Sequence, residues 1–123
     1  MYILRENKLK KITQNFVREE FKCRCGKCGL MAINPLIVHR LQVIRDIINL
    51  PIHINSGYRC KKHNLKVGGA KNSLHMQGIA IDWYILDYPM SSVALMLEEW
   101  SGGFHFYKEY NFIHIDIGPR RRW

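Results

Sequence analysis

The stretch Phe112–Ile117 reads Phe-Ile-His-Ile-Asp-Ile. Alternation this strict suits a β-strand, because successive side chains point to opposite faces. Ile113, Ile115 and Ile117 then share one face and leave His114 and Asp116 on the other. Two more stretches have the same period. In Pro51–Asn55, Ile52 and Ile54 oppose His53 and Asn55; in Gly78–Ile85, Ile79, Ile81, Trp83 and Ile85 oppose Ala80, Asp82 and Tyr84. If the three strands lie in one sheet, the isoleucine face packs against helices and the other face gathers Asp82, His114 and Asp116. An unpaired carboxylate beside a buried apolar strand face is costly, so this collection reads as a site.

Elements to cover the apolar face are present. Leu36, Ile37, Val38, Leu41, Ile44, Ile47 and Ile48 recur at helical spacing and predict a helix from Pro35 to about Asn49. Asn34 is its expected N-cap and Pro35 its first residue. Arg59–Val67 reads as a short helix and Gly68–Asn72 as a flexible loop. Ser91–Trp100 reads as a second amphipathic helix, capped by Ser91 or Ser92 and ended by Gly102-Gly103. Phe104–Tyr107 is a further candidate strand, turning through 108–111 into the last one. At 123 residues the chain fits one domain. Residues 1–20 form a basic N-terminal segment docked through Phe16 and Phe21, and residues 21–123 form the body.

Lysine and arginine outnumber the acids 19 to 10, for a net charge of +9. That balance favours polyanionic partners: nucleic acid, an anionic membrane or an anionic cell wall. The basic residues are dispersed, with concentrations at Lys8–Lys11, Lys61–Lys62 and Arg120–Arg122. Composition does not choose among the three. The dispersal resembles a charged surface more than a groove-reading helix, and nucleic-acid binding through the cysteine cluster and basic tail is a remote third reading. No apolar run approaches the ~20 residues of a membrane span. The opening Met1–Lys8 lacks the basic-then-apolar layout of an export signal. The expectation is a monomer made in the cytoplasm that reaches any extracellular substrate by another route. Four cysteines fall at Cys23, Cys25, Cys28 and the distant Cys60. Free or buried thiols are the favoured reading. The alternative is a second, structural zinc on Cys23, Cys25 and Cys28, with Cys60 as a remote fourth ligand.

A hydrolytic zinc site takes three protein ligands and keeps a fourth position for water, whose pKa falls towards neutrality. His75, Asp82 and His114 meet that requirement. His75 lies in the polar loop that runs through Gly78 into the Asp82 strand.

Ser56-Gly57-Tyr58-Arg59, Ser73-Leu74-His75 with Gly78, Ala80 and Asp82, then Phe112-Ile113-His114-Ile115-Asp116 and an arginine-rich tail ending in Trp123 occur in this order. Over about residues 20–123 the chain resembles the D-alanyl-D-alanine carboxypeptidase-type zinc peptidases. The likeness is strongest to the compact branch ending in His-x-Asp, which includes bacterial envelope proteins and bacteriophage cell-wall hydrolases. The resemblance implies an α+β fold with a small antiparallel sheet, helices on one face and a zinc cleft on the other. It implies hydrolysis of peptidoglycan stem peptides or cross-links by one catalytic zinc, as in a carboxypeptidase, an endopeptidase or a bacteriophage endolysin. His75, Asp82 and His114 match the family's zinc ligands, Arg59 its carbonyl- or carboxylate-binding arginine, and Ser73 its peptide-binding serine. The general base departs from the pattern. Better-known relatives carry Glu or Asp three residues before the final histidine, where this chain has Asn111. Asp116 is the first candidate to accept the proton, with a rival role in orienting a ligand or Arg59. Glu109 is the second candidate and His105 the third. The absence of a clear base also fits a catalytically silent, zinc-stabilised module that binds wall peptides or a protein partner. The Hedgehog signalling domain, which shares the fold and zinc site, works as a ligand.

Overall fold

A computed structural model describes residues 10–123. Helix α1 spans Pro35–Ile48; Asn34 caps it by accepting the Leu36 N–H, and it stops at Asn49, which takes a left-handed conformation. Strand β1 is His53–Ser56, α2 is Lys61–Lys66, β2 is Ala80–Tyr84, α3 is Met90–Met96, β3 is Gly103–Tyr107, β4 is Phe112–Asp116 and β5 is Arg121–Arg122. Short 3-10 turns at Arg18–Phe21 and Leu74–Gln77 complete the order.

The strands form one sheet in the order β1-β2-β4-β3-β5. Three of the four pairings are antiparallel, as the family resemblance implied. The sheet as a whole is mixed, because β5 runs parallel to β3, pairing Gly103 with Arg121 and Phe104 with Arg122. The chain leaves β4 at the end where β3 begins, crosses to the free edge of β3, and can only continue in the direction of β3. An Arg121 N–H bond to the Gly102 carbonyl marks that crossing.

The apolar face carries Ile81, Trp83, Ile113 and Ile115, all fully buried in one core with Ile37, Val38 and Leu41 of α1 and Met90 and Val93 of α3. Removing water from side chains of this size is worth roughly 1.5–3 kcal/mol each, so this face fixes the register. Helix α3 is shorter than its pattern suggested. Pro89 occupies the N-cap without a side-chain bond, neither serine caps it, and the chain tightens into turns through Leu97 and Trp100. Within the helix, Leu95 and Met96 are solvent-exposed. Trp100 is held by its indole N–H, which donates to the Asp116 carbonyl at 2.8 Å.

Residues 10–20 lie against α1. Gln42 Oε1 accepts from Thr13 Oγ1 and the Asn15 amide, Lys11 bridges to Val17, and Phe16 and Phe21 are buried. Residues 1–9, which include Lys8 of the first basic concentration and the start of the chain, lie outside the described residues.

Candidate metal centre and its cleft

The polar face of the sheet opens into a cleft of about 590 Å³ whose lining includes Arg59, Ser73, His75, Asp82, His114 and Trp123. Asp82 and His114 are directly opposed on β2 and β4, and His105 on β3 is opposed to His114 in turn. One row across the sheet therefore carries all three. His75 reaches the same point from the Leu74–Gln77 turn, which Ser73 starts by accepting the His75 N–H and Gly78 ends in a left-handed conformation. Glycine is required at Gly78, since a Cβ there would sit 1.8 Å from the Ala32 carbonyl oxygen.

Both imidazoles have their tautomer set from behind. His75 Nδ1 lies 2.8 Å from the Gly57 carbonyl, which can only accept, so the proton is on Nδ1 and the Nε2 lone pair faces forward. His114 Nε2 lies 2.8 Å from Asp116 Oδ2, so its proton is there and the Nδ1 lone pair faces forward. Both free lone pairs point at Asp82 Oδ1, at 3.2 Å from His75 and 2.9 Å from His114. Three acceptors converging in a buried place repel one another unless a cation sits between them. The three ligand atoms lie within 4.8 Å of one another. Ligands at zinc's usual ~2.0–2.1 Å are spaced about 3.3 Å apart in a tetrahedron, so the residues fit the metal. Zinc favours the same mixed donor set of two imidazoles and a carboxylate.

Without metal, the cluster strains towards charge. Burial pushes the Asp82 carboxyl up, but hydrogen bonds from His114 and His75 outweigh it and hold it well below the usual carboxylate range. Burial opposes a charged His114, but its bonds to Asp116 and Asp82 raise its pKa. Asp116, likewise pushed up by burial, is brought down to about 2 by His114 and the Gly103 N–H.

Arg59 spreads its guanidinium over three partners: Ser56 Oγ at 3.1 Å, Asn64 Oδ1 at 3.2 Å and Asp82 Oδ2 at 3.3 Å. Three of its five N–H donors are used, and the others remain for a ligand in the cleft. Ser73 lines the cleft with its hydroxyl proton uncommitted, since the oxygen acts as acceptor for His75 N.

The three candidate bases are placed differently. Asp116 is fully buried. Its Oδ1 accepts from the Gly103 and Gly118 amides at 2.8 and 3.0 Å, and its Oδ2 from His114 Nε2 and Arg121 at 2.8 and 3.2 Å. A carboxylate with both oxygens engaged behind a ligand is arranged to orient that ligand, and this supports the rival role for Asp116. Gly103 makes the arrangement feasible, because any Cβ there would fall 2.2 Å from Asp116 Oδ2. Glu109 is exposed on the β3–β4 turn and is not part of the cleft wall. His105 stacks on Trp123, with rings 5.1 Å apart, and its Nδ1 bonds the Trp123 carbonyl. Asn111 is occupied by the Met90 amide and the Tyr88 carbonyl.

Arg121 and Trp123 are among the cleft residues that the sequence did not mark as site residues. They sit in a tail that looked like basic surface, yet both line the cleft, with the Arg121 guanidinium 4.4 Å above the indole. Only the parallel pairing of β5, which has no local signature, brings them there.

The fourfold cysteine group is also assembled. Cys23, Cys25, Cys28 and Cys60 are free thiols whose sulfurs lie within 4.8 Å of one another. Amides of Cys28 and Lys27 lower the Cys25 thiol to about 6, while burial raises Cys23.

An α+β fold with a His-Asp-His cluster that could hold a metal ion, in a cleft lined by Arg59 and Arg121, defines the class of the domain. The sequence profile of the peptidase M15 family matches residues 14–116, and the chain belongs to that family. It is 36% identical to the probable peptidoglycan L,D-endopeptidase MepK of Haemophilus influenzae, over 69% of this chain and 49% of that protein. It is 31% identical to peptidoglycan L,D-endopeptidase MepK of Escherichia coli, over 76% of this chain and 56% of that protein. The chain thus spans about half the length of the curated relatives it matches.

Proposed function

We propose that this chain is a zinc-dependent peptidase that cuts peptide bonds in the stem peptides or cross-links of peptidoglycan. The observation that carries the reading is the convergence of His75 Nε2, His114 Nδ1 and Asp82 Oδ1 on one point of the cleft floor, with Arg59 beside it. Zinc bound there would polarise the scissile carbonyl and lower the pKa of a water. The chain's own groups do the rest. Arg59 presents its spare donors to the substrate carbonyl or a neighbouring carboxylate, where a rigid fork is better than a flexible ammonium. Ser73 donates to the bound peptide. Asp116 keeps the proton on His114 Nε2, so that Nδ1 stays free. The names of the relatives favour an endopeptidase over a carboxypeptidase, and a bond between an L- and a D-residue as the one cut. The net charge of +9 supports docking on anionic wall polymers, as a cell-wall hydrolase needs, a bacteriophage endolysin among them.

One observation favours a second reading. Among the described residues, Asp82 is the only carboxylate lining the cleft, and it is engaged by Arg59 and both histidines. A zinc-stabilised module that binds wall peptides without cutting them would look the same. The two separate when zinc-loaded protein is incubated with purified peptidoglycan and the soluble products are identified by mass. The peptidase reading expects fragments with one new amine per cut, absent with His75→Ala. No fragments at any pH at which the metal stays bound, together with co-sedimentation with the wall, would leave only the binding module.

A further inference from the structure

We propose that Cys23, Cys25, Cys28 and Cys60 hold a second zinc ion, structural in role, which fastens the loop of residues 23–28 to the start of α2. Tetrahedral zinc with Zn–S bonds of about 2.3 Å places its sulfurs about 3.8 Å apart. The four sulfurs here already lie within 4.8 Å of one another, although one comes from far along the chain, and no pair is joined as a disulfide. The backbone is arranged to receive negative sulfur. Cys25 Sγ accepts the amides of Lys27 and Cys28 at 3.4 and 3.3 Å, Cys28 Sγ that of Leu30 at 3.5 Å, Cys23 Sγ that of Cys60 at 3.3 Å, and Cys60 Sγ that of His63 at 3.4 Å. Each of the four sulfurs therefore has a backbone donor. Gly26 and Gly29, both at positive φ (74° and 64°), make the tight turns that bring three sulfurs from six residues to one point.

Charge supports the same assignment. Zinc bound by four thiolates carries a net charge of −2. The depression over the cluster is rimmed by Arg24, Lys27, Lys62 and Lys66, so the cations that would disfavour an isolated metal ion instead neutralise a tetrathiolate one. Four protein ligands leave no open position, which sets this site apart from the three-ligand cradle in the cleft and makes it structural. The local fold also lacks another anchor. Between Cys23 and Ile33 there is neither helix nor strand and no buried apolar side chain, and one backbone bond, Cys23 N to Leu30 O, closes the loop. A metal supplies the cohesion that burial does not.

The test counts metal and identifies the ligand atoms. Purified protein, freed of loose metal by gel filtration, is expected to carry two zinc ions per chain, and His75→Ala to retain one. Replacement by cobalt(II) is expected to give an intense near-ultraviolet sulfur-to-metal band in both proteins, which nitrogen and oxygen ligands do not produce. The double variant Cys25→Ser/Cys28→Ser is expected to lose that band and one zinc equivalent and to keep the ion in the cleft. The proposal is overturned by any of three results: one zinc per chain in the wild type and none in His75→Ala, four thiols that react at once with a thiol reagent in the native protein, or an intact mass lighter by two hydrogens for each disulfide. These wild-type and His75→Ala measurements stand even if the double variant does not fold. None of them depends on peptidase activity.

Discussion

Replacing Asp116 with asparagine separates orientation of the metal ligand from acceptance of a proton. The carboxylate's Oδ1 receives two backbone amides, Gly103 and Gly118, and its Oδ2 receives His114 Nε2. In Asp116→Asn an NH2 group on either side confronts two donors, because Oδ2 also accepts from Arg121. The backbone amides are fixed, whereas Arg121 is half-exposed and can swing away and His114 can change tautomer, so the amide oxygen stays with the backbone amides. The NH2 then faces His114 Nε2, which is satisfied only by becoming an acceptor. The imidazole proton moves to Nδ1, the atom that faces Asp82 and the metal position. Avoiding this by flipping the amide leaves buried donors unpaired, at about 1–3 kcal/mol. Either route weakens zinc binding by about 10–100-fold, the usual cost of losing a partner behind a metal-bound histidine. Competition against a chromophoric chelator measures that affinity, and turnover of peptidoglycan at saturating zinc should return to within about tenfold of wild type. Unchanged zinc affinity with turnover reduced by about 10²–10⁴ at saturating zinc would mean that Asp116 is the proton acceptor, and the tautomer reasoning would be refuted.

Gly78→Ala should destabilise the protein by at least about 2 kcal/mol, because φ of 70° and a Cβ 1.8 Å from the Ala32 carbonyl both oppose it. Urea unfolding measures this, and a loss under about 0.5 kcal/mol would contradict the packing of Gly78 against residues 32–34. Arg59→Lys should leave zinc content unchanged and lower kcat/KM on peptidoglycan by about 10²-fold, since an ammonium cannot hold Ser56, Asn64 and Asp82 and still reach substrate; near-wild-type kinetics would remove Arg59 from the mechanism. In metal-free protein the depressed Asp82 and Asp116 contribute stability fully above their ordinary value of 3.8 and lose it as pH falls through their lower folded values, about 2 for Asp116. His114, raised in the fold, contributes fully below 6.5 and loses its contribution as pH rises through its folded value. Chelator-treated protein should therefore melt highest between about pH 4 and 6.5, and the alkaline decline should vanish with zinc bound; a flat profile in the metal-free protein would show that these groups are not coupled.

The parts of the site legible in the sequence are those controlled by a local period. Alternation placed Asp82 and His114 on one strand face, and the buried isoleucine face left one register, in which the two are direct partners. Asn34-Pro35 similarly fixed the start of α1. What escaped depends on chain segments that meet only in three dimensions. Asp116 shares the face of His114, so alternation made it look like a cleft residue. Gly102 and Gly103 pass so closely over it that it is sealed behind the histidine. Cys60 could be named only as a remote fourth member beside Cys23, Cys25 and Cys28, since no spacing rule spans that separation; the fold brings the four sulfurs within 4.8 Å of one another. The pattern runs past the end of α3 because Leu97 and Trp100 fit the apolar spacing although the chain has already tightened into turns, and Leu95 and Met96 fit it too yet are solvent-exposed. An apolar residue on the surface is common, and periodicity alone does not distinguish it from a core position.

The site divides its tasks by how firmly each part is held. Asp82 and His114 lie on adjacent inner strands and are set by sheet geometry, while His75 comes from the β1–β2 connection and is tied to Gly57 from behind. Arg59 and Ser73 belong to the connection between β1 and β2, which has no sheet bonds between Gly57 and Ile79. That connection is gathered by Asn64, a buried amide whose Oδ1 takes Arg59 Nη1 and whose Nδ2 donates to the Ala70 carbonyl at 2.8 Å. Asn64 thus links the guanidinium to the loop of residues 67–73, which also lines the cleft, and Gly69 must lack a Cβ to pass it, since a Cβ would fall 2.1 Å from Asn64 Oδ1. Two of the three cradle residues rest on the strands, while His75 shares the connection with Arg59 and Ser73 and is held there by Gly57. Changes in the loop of residues 67–73 should therefore alter substrate preference before they alter metal affinity.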